Sequence, residues 1–197
     1  MPKKDKLAEY KKKRDLAKSG EPKGKVRSSK MPIFVVQKHA ARSLHYDFRL
    51  SIGGVLVSWA VPKGPSTSTR VRRLAVRTDD HPMRYAKFEG VIPKGEYGAG
   101  TVMVWDKGTY RNIQKKAGKK VSMETALKKG KIEVWLKGEK LNGGYALIKT
   151  GRGNQWLLIK MKDEHARARG NPVNTQKKSV LTGRTMRQIA ADAKKGK

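Results

Sequence analysis

The chain has 197 residues, enough to enclose one ordinary core, and its 47 Lys and Arg against 16 Asp and Glu give a formal net charge of +31. Such an excess asks for a polyanionic partner, nucleic acid first, with a basic solubility tail as the simpler alternative. No cysteine is present, which excludes disulfides and thiolate metal sites, and no apolar run is long enough for a membrane span.

At the N-terminus, Met1-Pro2-Lys3-Lys4-Asp5 lacks the apolar core of a secretory signal, so the expected location is cytoplasmic and nucleoid-associated. Residues 3–17 read as a short basic helix with Leu7, Tyr10 and Leu16 as sparse anchors. Gly20, Pro22 and Gly24 then open a flexible basic connector to about Lys30. From there the pattern predicts strands over 33–38, 44–51, 55–61, 73–78, 101–106, 109–112, 131–137, 143–150 and 155–161. Gly53-Gly54 is a hairpin signal, and Gly108 separates the fifth strand from the sixth. Ser122 caps a short helix that Gly130 ends. Residues 171–182 read as a polar loop, and the helix expected after Gly183 is too sparse in apolar residues to fold alone. The fold class is therefore mainly β: an antiparallel barrel flanked by short helices, with basic flexible termini. Three segments are expected: 1–30 as a helix and connector, 31–162 as the barrel domain, and 163–197 as a basic tail. Residues 1–30 carry twelve basic and four acidic side chains and residues 160–197 eleven and three, so the central part is itself strongly basic. That weighs against a tail alone.

Chemistry concentrates between residues 39 and 49. Alternation along the second strand puts His45, Asp47 and Arg49 on one face and Leu44, Tyr46, Phe48 and Leu50 on the other, toward a core. A short connection can fold His39 back beside His45. Two imidazoles and a carboxylate suit a divalent transition metal, and the neighbouring guanidinium suits a phosphate oxygen. The same residues are also compatible with a polar barrel face of solvated histidines. In Asp79-Asp80-His81-Pro82-Met83-Arg84-Tyr85, His81 either faces a cavity or stands at a solvated corner. The glycines of the 93–100 loop do not open a helix and read as tight turns rather than a phosphate cradle. Lys63 can meet a backbone phosphate. Trp59, Trp105, Trp135 and Trp156 read as core, and His165 as surface. No Ser-His or Cys-His nucleophile pair stands out, so any catalysis is expected to be metal-assisted, with water attacking.

Several stretches together resemble one family. They are Phe34-Val35-Val36-Gln37-Lys38-His39, Leu44-His45-Tyr46-Asp47-Phe48-Arg49-Leu50, Ser58-Trp59-Ala60-Val61-Pro62-Lys63-Gly64-Pro65, Asp80-His81-Pro82, Phe88-Glu89-Gly90, and Ile92-Pro93-Lys94-Gly95-Glu96-Tyr97-Gly98-Ala99-Gly100-Thr101. The resemblance, over about residues 31–161, is to the 3′-phosphoesterase domain of bacterial and archaeal DNA ligase D. It implies a β-barrel and a manganese-dependent hydrolase, at once a phosphomonoesterase and a 3′-ribonuclease, that removes a 3′-terminal ribonucleoside and then the 3′-phosphate. It assigns His39, His45 and Asp47 to the metal, and Arg49, His81 and Tyr85 to phosphate binding and the transition state. Asp15, beside Arg14, and Glu21, beside Pro22, resemble an N-terminal segment whose acidic residues matter to the nuclease step. Asp79 stands where the family often has Glu. Residues 179–185 resemble the stretch that follows this domain in the full ligase, so the chain is either a stand-alone enzyme or one module of a larger one. The implied partners are DNA primer-templates or duplex 3′ ends, with or without terminal ribonucleotides, and ligase, polymerase or Ku-type end-joining proteins. A non-catalytic DNA-binding protein on a degenerate scaffold and an RNA 3′-end phosphodiesterase are the alternatives.

Overall fold

Period-two alternation decides the architecture. In the computed structural model, which describes residues 5–26, 31–151 and 153–195, helix α1 (Ala8–Lys12) leads into strands β1 (Ile33–Ala40), β2 (Leu44–Ile52), β3 (Val55–Val61) and β4 (Arg72–Arg77). A 3₁₀ turn (Met83–Lys87) and the short β5 (Gly90–Ile92) precede the long β6 (Gly100–Asn112). A small hairpin of β7 (Lys115–Lys116) and β8 (Lys119–Lys120) leads to α2 (Met123–Lys129). β9 (Lys131–Gly138), β10 (Asn142–Lys149) and β11 (Gln155–Lys160) follow, then α3 (Pro172–Thr175) and α4 (Met186–Lys195).

The strands pair in the order β1-β2-β3-β4-β11-β10-β9-β6, all antiparallel, and β6 returns to β1, closing a barrel of eight strands. Closure removes the exposed edges that would otherwise template aggregation. Phe34, Val36, Tyr46, Phe48, Leu50, Trp59, Trp105 and Tyr145 belong to one buried cluster. Truncating a residue such as Phe48 to alanine is expected to cost about 3–5 kcal/mol. The β2–β3 turn is made by Gly53 and Gly54 at φ 58° and 85°, the double positive φ of a type I′ hairpin. Ser122 Oγ accepts from Thr125 N at the start of α2, and Gly130 ends that helix at φ 72°.

Several expectations need correction. The strands expected over 101–106 and 109–112 are one continuous β6. Gly108 is needed there for close approach rather than for a turn, because a Cβ would lie 2.0 Å from Lys137 O on β9. Leu44, expected in the core, is 51% exposed at the start of β2. Trp135 is only partly buried, with its ring centroid 5.9 Å from that of His165. β5 was not expected, and the 171–182 loop contains α3. The basic N-terminal helix narrows to α1, with residues 3 and 4 outside the described residues.

The connector expected after Gly20 is anchored by the buried Glu21 and by Gly24 against Pro82, while Lys23, Lys25 and Val26 are exposed and residues 27–30 lie outside the described part. Leu7 joins the main core, while Tyr10 joins a second cluster with Val35, Leu56, Tyr85 and Val104 on the outer side of the strands. The C-terminal segment is held in turn by Glu89, whose carboxylate accepts from Val104 N, Ser179 Oγ, Thr182 Oγ1 and Arg184 Nη2. This clasp and the burial of Ile189 supply what α4 lacks on its own.

Candidate active site

The residues that alternate with the barrel core point outward, and there Gln37 and His39 of β1, His45, Asp47 and Arg49 of β2 and Ser58 of β3 form a polar patch beside the outer apolar cluster. The register sets His39 opposite His45, Gln37 opposite Asp47, and Arg49 opposite Ser58. Three pieces of chain wall this patch into a cavity of about 180 Å³: Arg14 and Glu21 from the N-terminal segment, His81 and Tyr85 around the 3₁₀ turn, and Tyr97 with Gly98 from the loop before β6. Asp47, Arg49 and His81 are therefore buried although they lie outside the barrel.

One potential ligand atom from each of His39, His45 and Asp47 falls within a 4.8 Å group. His39 Nε2 lies 2.8 Å from Gly98 O, and its Nδ1 faces Asp47 Oδ2 at 3.6 Å. His45 Nδ1 lies 3.0 Å from Ser43 O, and its Nε2 faces Asp47 Oδ1 at 3.8 Å. Each imidazole thus donates one N–H to a backbone carbonyl and turns the other nitrogen toward the carboxylate. That outer anchoring is what a metal-binding histidine requires. Burial opposes ionisation of Asp47, but the Arg49 charge outweighs it and holds the carboxyl well below its usual range. The donor set of two neutral imidazoles and one carboxylate fits a divalent transition metal.

Arg49 is held by three bonds: Nε to Gln37 Oε1 at 2.7 Å, Nη1 to Ser58 Oγ at 2.7 Å, and Nη2 to Asp47 Oδ2 at 3.1 Å. A guanidinium has five N–H donors, so one on each terminal nitrogen remains for an anion. Gln37 also donates to Tyr85 O and Phe88 O, which ties the guanidinium to the 3₁₀ turn. Beyond it, His81 Nδ1 lies 2.8 Å from Asp79 O and Nε2 lies 3.2 Å from Arg14 Nη2. Arginine cannot accept, so His81 carries its proton on Nδ1 and is neutral. Burial first, then the charges of Arg49 and Arg14, push its pKa well below the ordinary value. Tyr85 donates to Glu21 Oε1, which also accepts from Arg14 Nε. Burial first, then Glu21, raises the Tyr85 hydroxyl despite the nearby Arg49 charge, so it remains a donor.

Seven buried side-chain polar atoms among the described residues have no hydrogen-bond partner, and three of their side chains line this cavity: Glu21 (Oε2), Thr78 (Oγ1) and Asp79 (Oδ2). Asp79 Oδ2 has only Arg14 Nη1 near it, at 3.8 Å. The cavity therefore presents acceptors as well as cations.

Of the residues singled out from the sequence, His39, His45, Asp47, Arg49, His81, Tyr85 and Glu21 come together here. Asp15 does not line the cavity: it is exposed, receives Ala17 N and pairs with Lys18. Lys63 is exposed after β3, also off the cavity wall. Gln37, Ser58 and Tyr97 were missed as site residues. Gln37 was legible, since it precedes His39 by two on the same strand and must share its face.

The family model of the DNA ligase D 3′-phosphoesterase domain matches residues 37–149. The multifunctional non-homologous end joining protein LigD of Pseudomonas aeruginosa is 45% identical over 194 residues, covering 94% of this chain and 22% of its own length. The protein of that name from Mycolicibacterium smegmatis is 46% identical over 162 residues, covering 81% of this chain and 21% of its own. The multifunctional non-homologous end joining DNA repair protein LigD of Mycobacterium tuberculosis is 45% identical over 162 residues, covering 81% and 20%. The chain thus spans about a fifth of the length of these relatives. No helix among the described residues is long and apolar enough to cross a membrane.

Proposed function

The chain belongs to the DNA ligase D 3′-phosphoesterase domain family, and from that premise we propose that it is a manganese-dependent hydrolase that heals 3′ ends in end-joining repair of DNA. It removes a terminal ribonucleoside to leave a 3′-phosphate, then removes that phosphate to leave a 3′-OH. The observation that carries this reading is one cavity in which an anchored His39–His45–Asp47 set adjoins an Arg49 with two free donors. A bound manganese ion would supply positive charge to a phosphate oxygen and lower the pKa of a bound water.

The chain's own residues do the rest. Arg49 grips two phosphate oxygens with its free N–H pair, its position fixed by Gln37 and Ser58. Tyr85 O–H donates to a third oxygen once it leaves Glu21. An anion beside His81 restores the proton that burial disfavours, and the imidazolium then stabilises the charge that develops as the phosphate is attacked. The unpartnered acceptors of Glu21 and Asp79 suit a ribose hydroxyl, which supports their use in the nuclease step and gives Asp79 the place of the family's glutamate. The +31 charge grips the DNA backbone without reading bases. Ligase, polymerase or Ku-type partners, a cytoplasmic nucleoid location and a barrel domain over 31–162 belong to the same reading.

The test uses labelled primer-templates that end in a 3′-phosphate or a single 3′-ribonucleotide, with and without manganese. Conversion of both to a 3′-OH only with the metal is the expected result. Binding without conversion would leave a DNA-binding protein, and conversion of RNA ends alone would make the substrate RNA.

A further inference from the structure

Back to back with the catalytic cavity lies a second one, of about 380 Å³, lined by Lys11, Lys23, Lys25 and Arg84 together with Gly24, Pro82 and Met83. No acidic residue lines it. Lys11 is tied to Asp5, but Lys23, Lys25 and Arg84 have no hydrogen bond or ion pair among the described residues, and all three are exposed. Three unpaired cations gathered around one concavity repel one another unless an anion enters.

The gathering is built by the backbone. A Cβ on Gly24 would lie 2.0 Å from Pro82 Cβ, so only glycine lets this segment lie flat on the His81–Pro82 turn, with a lysine on either side. The two cavities share that turn as a wall. His81 and Tyr85 line the catalytic side, while Pro82 and Arg84, their immediate neighbours in sequence, line the basic side. The basic cavity therefore lies one turn of chain away from the position that Arg49 and His81 offer a terminal phosphate.

We propose that the basic cavity is a second phosphate site, which holds a backbone phosphodiester of the strand whose 3′ end is being processed. This rests on the phosphoesterase reading above. Its occupant is a nucleic-acid phosphate, and free inorganic phosphate is the competing source of the same chemistry. The site acts in substrate capture and has no part in bond breaking.

The test compares the full-length wild-type chain with a Lys23→Ala/Lys25→Ala/Arg84→Ala variant. On a 3′-phosphate primer-template the variant should show KM raised about tenfold with kcat within about twofold, the sum of three solvent-exposed phosphate contacts. Metal-free fluorescence anisotropy with the same DNA should give a salt slope shallower by about two. Thymidine 3′-phosphate, which has no neighbouring phosphodiester, should keep its KM, and inorganic phosphate should inhibit both proteins equally. Neutral methylphosphonates at the phosphates next to the reacting end should reproduce the loss in wild type and add nothing in the variant. An equal loss on the mononucleotide, a change confined to inhibition by inorganic phosphate, or an unaltered salt slope would each overturn the proposal. The anisotropy arm needs no turnover, so absent hydrolysis with a shallower slope would defeat the catalytic reading and leave the second phosphate site standing.

Discussion

Lys160 and Arg49 are both buried cations on this barrel, and they differ in what they leave free. Lys160, its side chain fully buried, donates to Gly144 O, Met161 O and Asp163, so all three of its ammonium protons are engaged. Asp163 is further satisfied by Gly144 N and His165 N. Arg49 has the same burial, yet two of its donors point to no partner, and Glu21, Thr78 and Asp79 around it keep unpartnered oxygens. A buried polar atom without a partner costs about 1–3 kcal/mol. The distal cluster is complete and closes a corner of the fold. The cavity is left incomplete, with cationic donors and oxygen acceptors both unpaired inside it.

The contrast breaks first at the proposed metal ligands. On that proposal His45→Ala removes one of three ligand atoms and should take manganese binding below detection by calorimetry, with end processing lost by a thousandfold or more, on the order of what metal activation of water supplies. Undiminished manganese binding would show that the three residues do not form the site.

Next comes the guanidinium. Arg49→Lys cannot bond Gln37, Ser58 and Asp47 and still reach a phosphate, since an ammonium has three donors and no fork. Single-turnover removal of a 3′-phosphate should fall about a hundredfold, by analogy with loss of one preorganised anion donor. Metal affinity and DNA affinity should stay close to wild type. Wild-type rates in a folded variant would remove Arg49 from the phosphate site.

At the distal cluster the expected effect moves from activity to stability. Asp163→Asn leaves a buried ammonium without its counter-charge and should lower unfolding free energy by about 3 kcal/mol at pH 7, read by denaturant titration, with kcat unchanged. Burial alone raises the Asp163 carboxyl, but the Lys160 bond and the N–H groups of Gly144 and His165 hold it below its ordinary 3.8. Because the folded value is the lower one, the stabilisation is complete at neutral pH and fades as pH falls through the acid range below about 4. The gap between wild type and variant should narrow there. A gap that widened in acid would contradict the ion pair.

The smallest change sharpens the rule. Tyr145 also has a hydroxyl without a partner, but it lies away from the cavity. Tyr145→Phe deletes that hydroxyl with no change of shape and should raise stability by about 1 kcal/mol while leaving activity unchanged. A clear loss of activity would mean that orphaned atoms do not distinguish site from scaffold.

How much of this was legible follows from contact range. His45, Asp47 and Arg49 share a face by alternation alone, and the double glycine fixed the β2–β3 hairpin, so the barrel and the grouping of His39, His45 and Asp47 were readable locally. Glu21 and Tyr85 meet across 64 residues and Arg14 and His81 across 67, and no local pattern reports such pairs. Gly20, Pro22 and Gly24 carry the composition of a loose connector, yet Gly24 is small because Pro82 is there. Gly108 misled in the same way: a glycine read as a turn was a glycine read without its neighbour on β9.

The placement of the chemistry on the outer face has a consequence for the order of assembly. His39, His45 and Asp47 are made early in the chain, but β4 finds its second partner only when β11 has formed, and the wall of Arg14 and Glu21 needs the 3₁₀ turn to pack against. Long-range pairings of this kind form late, after the entropy of closing long loops has been overcome. A chain still emerging from the ribosome therefore holds His39, His45 and Asp47 without the enclosure that completes their cavity. Hydrolytic capacity arrives with the last strands, as a property of the finished molecule.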